Sequence, residues 1–478
     1  MTGIGFTTIK AHSLRVAVLF FMAASLGGCA SGLNGRYYSK LRDKIDSGNF
    51  QAAADFVDSS KKKYGQRNIL LFYLDSGFTN HLAENFQISF RSFENAKSAF
   101  DEFWQRSISA GAASMFFNDS TLPYSGKDFE NTHMLVFAAM NHILSGDNMA
   151  AAVEARQANR LFIRFAVESN NRNFYKDDGF IRYFMGLVYE NAGQLNDAHV
   201  SYFVALRAYR DGIVSIAPPQ DLINDAYTTA LRLRMSARAA QIKADFPSAR
   251  DNRIPASQGE LVILCYNGFI PRKISRVFEF ALFDIWPYIN QVEVDSESEA
   301  AEFNRARSVT VAALANDYVR VAFPQYQRIP NNIVSFSVEA GAKTETSYMA
   351  QDLAQLAERY LDDQITKIRA KALARAAVRY VLGRTTSKAV ADQTGNATWG
   401  AVTRTAFNVF TALTETADTR AWNIIPENIL MARLFLPEGK NEITLNFLDG
   451  NGNRIRFENA IVDIKRGKKN FMFVRVRS

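Results

Sequence analysis

The stretch Phe180–Tyr209, FIRYFMGLVYENAGQLNDAHVSYFVALRAY, limits what this chain can fold into more than any other. Its apolar residues recur every three or four positions on both sides of Gly193, the period of two amphipathic helices. Gly186, Ala198 and Ala205 are small. Small residues there let two antiparallel helices approach closely, and Gly193 supplies the tight turn between them. Weaker copies precede this unit. Ser47–Val57 carries the turn and Ala53, Ser76–Ala96 places Gly77, Ser89, Phe93 and Ala96 at matching spacings, and Ser145–Asn159 gives Gly146, Ala151 and Ala158. The turns at Gly48, Glu84, Gly146 and Gly193 lie 36, 62 and 47 residues apart, so insertions interrupt the array, at Gln105–Asn131 and Glu168–Asp178.

The clearest unit resembles a tetratricopeptide repeat. Gly186 and Tyr189 fit the L-G-x-x-Y block with Met185 in place of Leu, and Ala198 with Tyr202 fits A-x-x-x-F. The resemblance implies that residues 37–246 form an α-solenoid whose concave face binds a peptide or protein segment. The inner helix of each pair lines that groove. Its candidate partner-binding residues are Arg182, Tyr183 and Glu190 in the clearest unit, Asn80 and His81 in the second and Asn141 in the third. Amide and guanidinium groups can satisfy an extended peptide's backbone, while Tyr stacks on its side chains.

Past FPSARDNRIPASQGE (Phe246–Glu260) the helical period gives way to apolar alternation. Strands are expected at Glu260–Tyr266, Arg276–Phe283, Arg307–Leu314, Tyr318–Pro324 and Asn332–Val338. Four more are expected at Asn428–Pro437, Asn441–Asp449, Arg454–Ile464 and Asn470–Arg477. The fold class expected is α+β and multidomain: a tetratricopeptide-like α-solenoid, then a mostly antiparallel β domain at 259–478 with a long helical insertion at 347–416. The two halves read as separate folding units. Within the insert, Thr366–Val390 holds seven basic residues and no acid, and Lys367, Lys371, Arg375 and Arg379 recur every four positions. The stripe is either a contact for an anionic surface or a solvated helix face, with Asp363 placed to pair with Lys367.

The first 28 residues carry Lys10, Arg15 and no acid, followed by an apolar run, Val16–Leu26, too short to span a bilayer. Leu26-Gly27-Gly28-Cys29 resembles a bacterial lipobox. The resemblance implies cleavage before Cys29, a diacylglyceryl thioether on it, and a tether at 29–36 leading to the first helix. Two or more acyl chains hold a protein firmly on a membrane. With Ala30 and Ser31 after the cysteine and no Asp at the second position, the outer membrane is favoured, on its periplasmic side. Removing 1–28 takes the formal charge from +8 to +6, too mild for a nucleic-acid partner. The other cysteine, Cys265, lies in an apolar strand, which leaves no disulfide pair and no thiolate metal set.

Thr416–Gly439, TADTRAWNIIPENILMARLFLPEG, together with GELVILCYNGFIPRK (Gly259–Lys273) and the helices upstream, resembles a family of bacterial envelope lipoproteins. Members pair a tetratricopeptide-like N-terminal half with an A-D-T-R-x-W segment followed by A-R-x-x-L-P-x-G. The resemblance implies the architecture and no particular activity. Asp418 and Arg420 beside Trp422 read as a buried ion pair stacked on the indole, locking insert to sheet.

No H-E-x-x-H, G-x-S-x-G or Walker loop occurs, so no catalytic residue, metal or cofactor is expected beyond the lipid on Cys29. Asp449, Asn451 and Asn453 sit at calcium-loop spacings, yet Arg454 and Ala460 replace the required Gly and Glu, and a hairpin turn explains them better. The expected function is a membrane-anchored scaffold or adaptor for other envelope proteins, or alternatively a regulator of a peptidoglycan synthase, the latter by analogy of architecture.

Overall fold

The computed structural model describes residues 35–109, 122–168, 177–285, 318–395 and 417–476, with Leu33, Tyr175 and a few isolated positions besides. Cys29 with its flanking segment, and the strand expected at Arg307–Leu314, lie outside the described residues.

The helices come as antiparallel pairs. These are α1 (Gly35–Asp46) with α2 (Phe50–Asp58), α4 (Ile69–Leu82) with α5 (Phe86–Ser109), and α6 (Asp128–Leu144) with α7 (Asn148–Glu168). After them follow α8 (Gly179–Asn191) with α9 (Leu195–Arg210), and α10 (Gln220–Arg232) with α11 (Ser236–Asp245). A short α3 (Lys61–Tyr64) links the first two pairs. Each turn within a pair has one residue in the left-handed region: Gly48 (φ 73°), Glu84 (59°), Gly146 (84°), Gly193 (78°) and Arg234 (57°). Two backbone bonds close each of them in the same way, as in Gly193 N–H to Glu190 O at 3.0 Å and Gln194 N–H to Tyr189 O at 2.8 Å. Close approach depends on the small positions. A Cβ on Gly186 would stand 2.3 Å from the Tyr202 ring, and one on Gly77 2.4 Å from Phe93.

The C-terminal half forms three sheets. Strands β1 (Gln258–Asn267), β6 (Tyr348–Asp352), β7 (Asn428–Pro437) and β10 (Lys469–Arg475) make the first, ordered β10-β1-β7-β6. The second is the hairpin β2 (Arg272–Ala281) with β3 (Tyr318–Gln327). The third holds β4 (Ser335–Ala340), β5 (Lys343–Thr346), β8 (Gly439–Leu448) and β9 (Arg454–Ile464), ordered β5-β4-β8-β9. Described pairings are antiparallel except β1 with β10, which run parallel from Glu260↔Lys469 to Tyr266↔Arg475.

The helical insert begins later than the sequence suggests. Its expected first residues form β6, hydrogen-bonded to β7, and the helix α12 is Leu353–Thr394, capped by the Asp352 carboxylate on Gln355 N–H. Period-2 alternation splits β1 between two cores. Val262, Leu264 and Tyr266 join the helices in one hydrophobic cluster, whereas Leu261, Ile263 and Cys265 pack with β4 and β8 of the third sheet in another. The first sheet is therefore buried on both faces, which is why β1 reads as an unbroken apolar run. The cluster joining Phe78, Phe137 and Phe184 of the helices to Tyr266, Trp422 and Met431 spans both halves of the chain. Two separate folding units do not describe it, because the helices and the sheet share one core.

Candidate functional site at the helix–sheet junction

The inner helices α4, α6, α8 and α10 carry polar residues in a row and nonetheless bury them. The groove they line is filled by the first sheet of the same chain, and this corrects the sequence reading. Asn80 (1% exposed), His81 (0%), Asn141 (2%) and Tyr183 (0%) face no open groove.

His81 Nδ1 lies 2.6 Å from Asn141 Oδ1 and its Nε2 3.2 Å from the Tyr266 hydroxyl on β1. Because the Asn141 amide donates to Ser89 Oγ (2.7 Å), its oxygen faces His81 and must accept. The network therefore puts the His81 proton on Nδ1 and leaves Nε2 to accept from Tyr266. The ring stacks on Phe473 of β10 at 4.5 Å, and burial pulls its pKa down to about 4, so it stays neutral. Asn80 donates to Asp58 Oδ2 (3.2 Å) and to Ser76 O (3.0 Å). Arg182 and Glu190 are half-buried and also engaged. Arg182 bonds Asp177 and Asn159, each at 2.6 Å, and lies over Phe162. Glu190 accepts from Tyr202 and Arg232 and stands 3.5 Å from Lys469.

The strongest link across the junction is one the sequence reading missed. Arg433, at the centre of β7, donates through Nη1 to Asp225 Oδ2 on α10 (2.5 Å) and to the Tyr183 hydroxyl on α8. Its Nε donates to Glu260 Oε1 on β1 (2.8 Å), and Lys469 of β10 donates to Glu260 Oε2 (2.6 Å). Burial works against the charge on Arg433, but Asp225 and Glu260 outweigh it and hold the guanidinium above its ordinary pKa. Burial likewise opposes ionised Asp225, and Arg433 and Lys469 overcome it, keeping the carboxyl below the usual range. The available signal was a lone arginine in NILMARLFLP and a lone glutamate ahead of LVILCY, charges that an apolar strand tolerates only when they are partnered.

Asp418 and Arg420 do pair, at 2.8 Å, and Arg420 holds Asp418 down at about 2 against the effect of burial. The guanidinium lies over Tyr124, 5.5 Å from its centroid, and not on Trp422. Arg420 also donates to Asn68 Oδ1 (3.2 Å) and Leu122 O (2.7 Å). Trp422 is fully buried among Phe78, Phe93 and Phe137, and its backbone N–H donates to Glu130 Oε1 at 2.8 Å. The segment thus locks the C-terminal half to the helices α4–α6 and the loop before α6, where the sequence reading had it joining insert to sheet. The basic stripe of α12 is likewise not an open face. Lys367, Lys371 and Arg379 are half-buried, Arg375 is 9% exposed, and all four are in contact with neighbouring groups.

A second buried carboxylate marks α4. Asp75 Oδ2 accepts from Tyr64 (2.6 Å) and Tyr38 (3.0 Å) while its Oδ1 has no partner. Burial pushes this carboxyl up to about 7 despite the two hydroxyls. The folded chain then holds a proton that the unfolded chain releases near pH 4, so Asp75 makes stability fall as pH rises from about 4 to about 7. Asp75→Asn keeps an acceptor for both tyrosines and removes the titration. Unfolding free energies from denaturant titrations are expected to match the wild type near pH 4 and to exceed it by on the order of 2–4 kcal/mol above pH 7. Equal values at pH 8 would show that the carboxyl ionises at no cost.

A cavity of about 20 Å³ between Tyr175, Asp178, Tyr209 and Gln351 has room for one water. Among the described residues no group of three or more His, Cys, Asp or Glu is placed to hold a metal ion. Asp449 closes the β8–β9 turn, accepting from the Asn451 and Asn453 backbone N–H groups at 2.8 Å each. No described helix is long and apolar enough to cross a membrane.

No family model and no curated protein matches this chain. The crystal structure of the apo form of RapI is similar over 48% of this chain and 58% of that one, at 12% identity and a TM-score of 0.31. A likeness of that size argues neither fold nor function.

Proposed function

We propose that the protein is a lipid-anchored scaffold of the bacterial cell envelope, a tetratricopeptide-type solenoid that binds other envelope proteins on its outward surfaces. The observation that carries this reading is the filled groove. An array of paired helices whose inner face is bonded to its own sheet is held rigid, and among the described residues it is the outer helices and outer sheet that it offers to a partner. The outer helices support the reading. Ile88 on α5, Met149, Val153, Ile163 and Val167 on α7, and Val200 on α9 are all more than a third exposed. The membrane half of the proposal rests on the lipobox ending in Cys29.

Two measurements test it. Cys29→Ser is expected to abolish labelling by a fatty-acid probe and to make the protein extractable from membranes by a high-salt wash without detergent; a variant that is still labelled and resists the wash sinks the anchor. For the partner surface, Met149→Glu with Val153→Glu is expected to leave thermal stability nearly unchanged and to remove the protein captured by crosslinking in envelopes. Undiminished capture would exclude that face.

A further inference from the structure

The segment that follows α2 holds most of the excess charge: α1 and α2 together are neutral, and Lys61, Lys62, Lys63 and Arg67 add +4. Residues 35–67 contain eight basic and four acidic residues, a net +4, out of +6 for everything after residue 28. Arg36, Lys40, Lys61, Lys62, Lys63 and Arg67 are exposed, and none of them forms an ion pair with a described residue. Two of the acids are turned elsewhere: Asp58 accepts from Ser76 and Asn80, and Asp55 from Gln51. The other two, Asp43 and Asp46, lie on α1 itself.

The fold gathers these cations at one end. Lys63 of α3 lies 5.6 Å from the ring centroid of Tyr37, the third residue of α1, and Tyr37 Oη is 3.1 Å from Tyr64 Oη. Lys63 and Lys44 both converge on Phe56, at 5.7 and 5.8 Å from its centroid. Two ammonium groups over one ring repel each other, and no acid bridges them, so an external anion relieves the repulsion. The rings beneath them fix the ammonium groups in place and make no demand on their outward hydrogen-bond donors.

We infer that this basic end of the helical array, with Lys61, Lys62 and Lys63 at its centre, docks on the anionic phospholipid headgroups of the membrane that carries the anchor. The inference rests on the reading of Cys29 as a lipidated residue, because that reading sets the distance. Gly35 lies six positions beyond Cys29, which bounds the span to about 20 Å even when fully extended. The lysine cluster beside Tyr37 is thereby held near the headgroups, where electrostatic attraction acts within a Debye length of about 8–10 Å. The acyl chains anchor the protein firmly by themselves; basic residues beside them add attraction to anionic headgroups and set orientation.

The test uses the chain from residue 29 with Cys29→Ser, so that no lipid takes part. It is expected to sediment with vesicles of phosphatidylcholine containing about one-third phosphatidylglycerol, and not with phosphatidylcholine alone. Raising the salt should release it. Lys61→Gln, Lys62→Gln and Lys63→Gln together should weaken partitioning by about tenfold or more. A control removing three exposed lysines elsewhere, Lys440→Gln, Lys465→Gln and Lys468→Gln, should change it by less than about twofold. Equal losses in the two variants, or no preference for anionic vesicles in the parent, would overturn the inference. So would binding to purified cell-wall sacculi through the same three lysines without vesicle binding, which would make the wall polymer the partner. Failure here leaves the lipid anchor untouched, and fatty-acid labelling decides the anchor without reference to the lysines.

Discussion

Arg433→Met is expected to destabilise the folded chain by about 3–5 kcal/mol, the cost of leaving buried carboxylates without their counter-ion. Asp225 and Glu260 lie on different elements, one helical and one in the sheet, and the guanidinium bonds both. Removing it leaves Lys469 as the nearest cation, 2.6 Å from Glu260 but 3.9 Å from Asp225. The double variant Arg433→Met, Asp225→Asn should therefore recover much of the loss, since Glu260 keeps Lys469 and no bare charge remains. Chemical denaturation followed by circular dichroism reads both effects. A single variant within about 1 kcal/mol of wild type would mean that water reaches the junction. In the wild type the depressed pKa of Asp225 adds stability that is complete above about pH 4 and is lost only as pH falls below its ordinary value.

Trp422→Ala is the other large change expected, at about 3–5 kcal/mol. The indole meets Phe78, Phe93 and Phe137 edge-on at centroid distances of 6.0, 6.5 and 5.8 Å, so its removal opens a cavity between α4, α5 and α6. Its backbone N–H bond to Glu130 survives the substitution, which confines the loss to packing. Trp422→Phe is the informative partner. The indole nitrogen has no hydrogen-bond acceptor, so a phenyl ring forfeits volume but no polar contact and should cost well under half as much. If the two variants cost the same, the indole N–H must be bonded after all.

The helical pairs were legible because their turns need left-handed residues. Gly48, Gly146 and Gly193 announce themselves, and Glu84 falls at the right spacing. Arg234 in the fifth turn carries no such mark and was missed. Most of the strands could be read from alternation, but β5 is four exposed polar residues and β6 precedes a helix without a break. The occupant of the groove was not legible at all. A polar stripe on an inner helix looks the same whether it meets water or a buried partner. The partners that decide the matter stand far along the chain, as with His81 and Tyr266, separated by 185 residues, or Arg433 and Asp225, separated by 208. Local pattern carries no information at that separation.

The parallel pairing of β10 with β1 sets an order on biosynthesis. β10 supplies Lys469 to the ionic junction and Phe471 and Phe473 to the inner helices, yet it is the last strand described and pairs with residues made some 209 positions earlier. A growing polypeptide therefore has the paired helices α1–α11 long before it has the strand that completes the sheet they hold. Until then the inner helices expose the apolar surface that chaperones and proteases recognise. A product terminated before Lys469 lacks the seven residues of the strand that covers that surface.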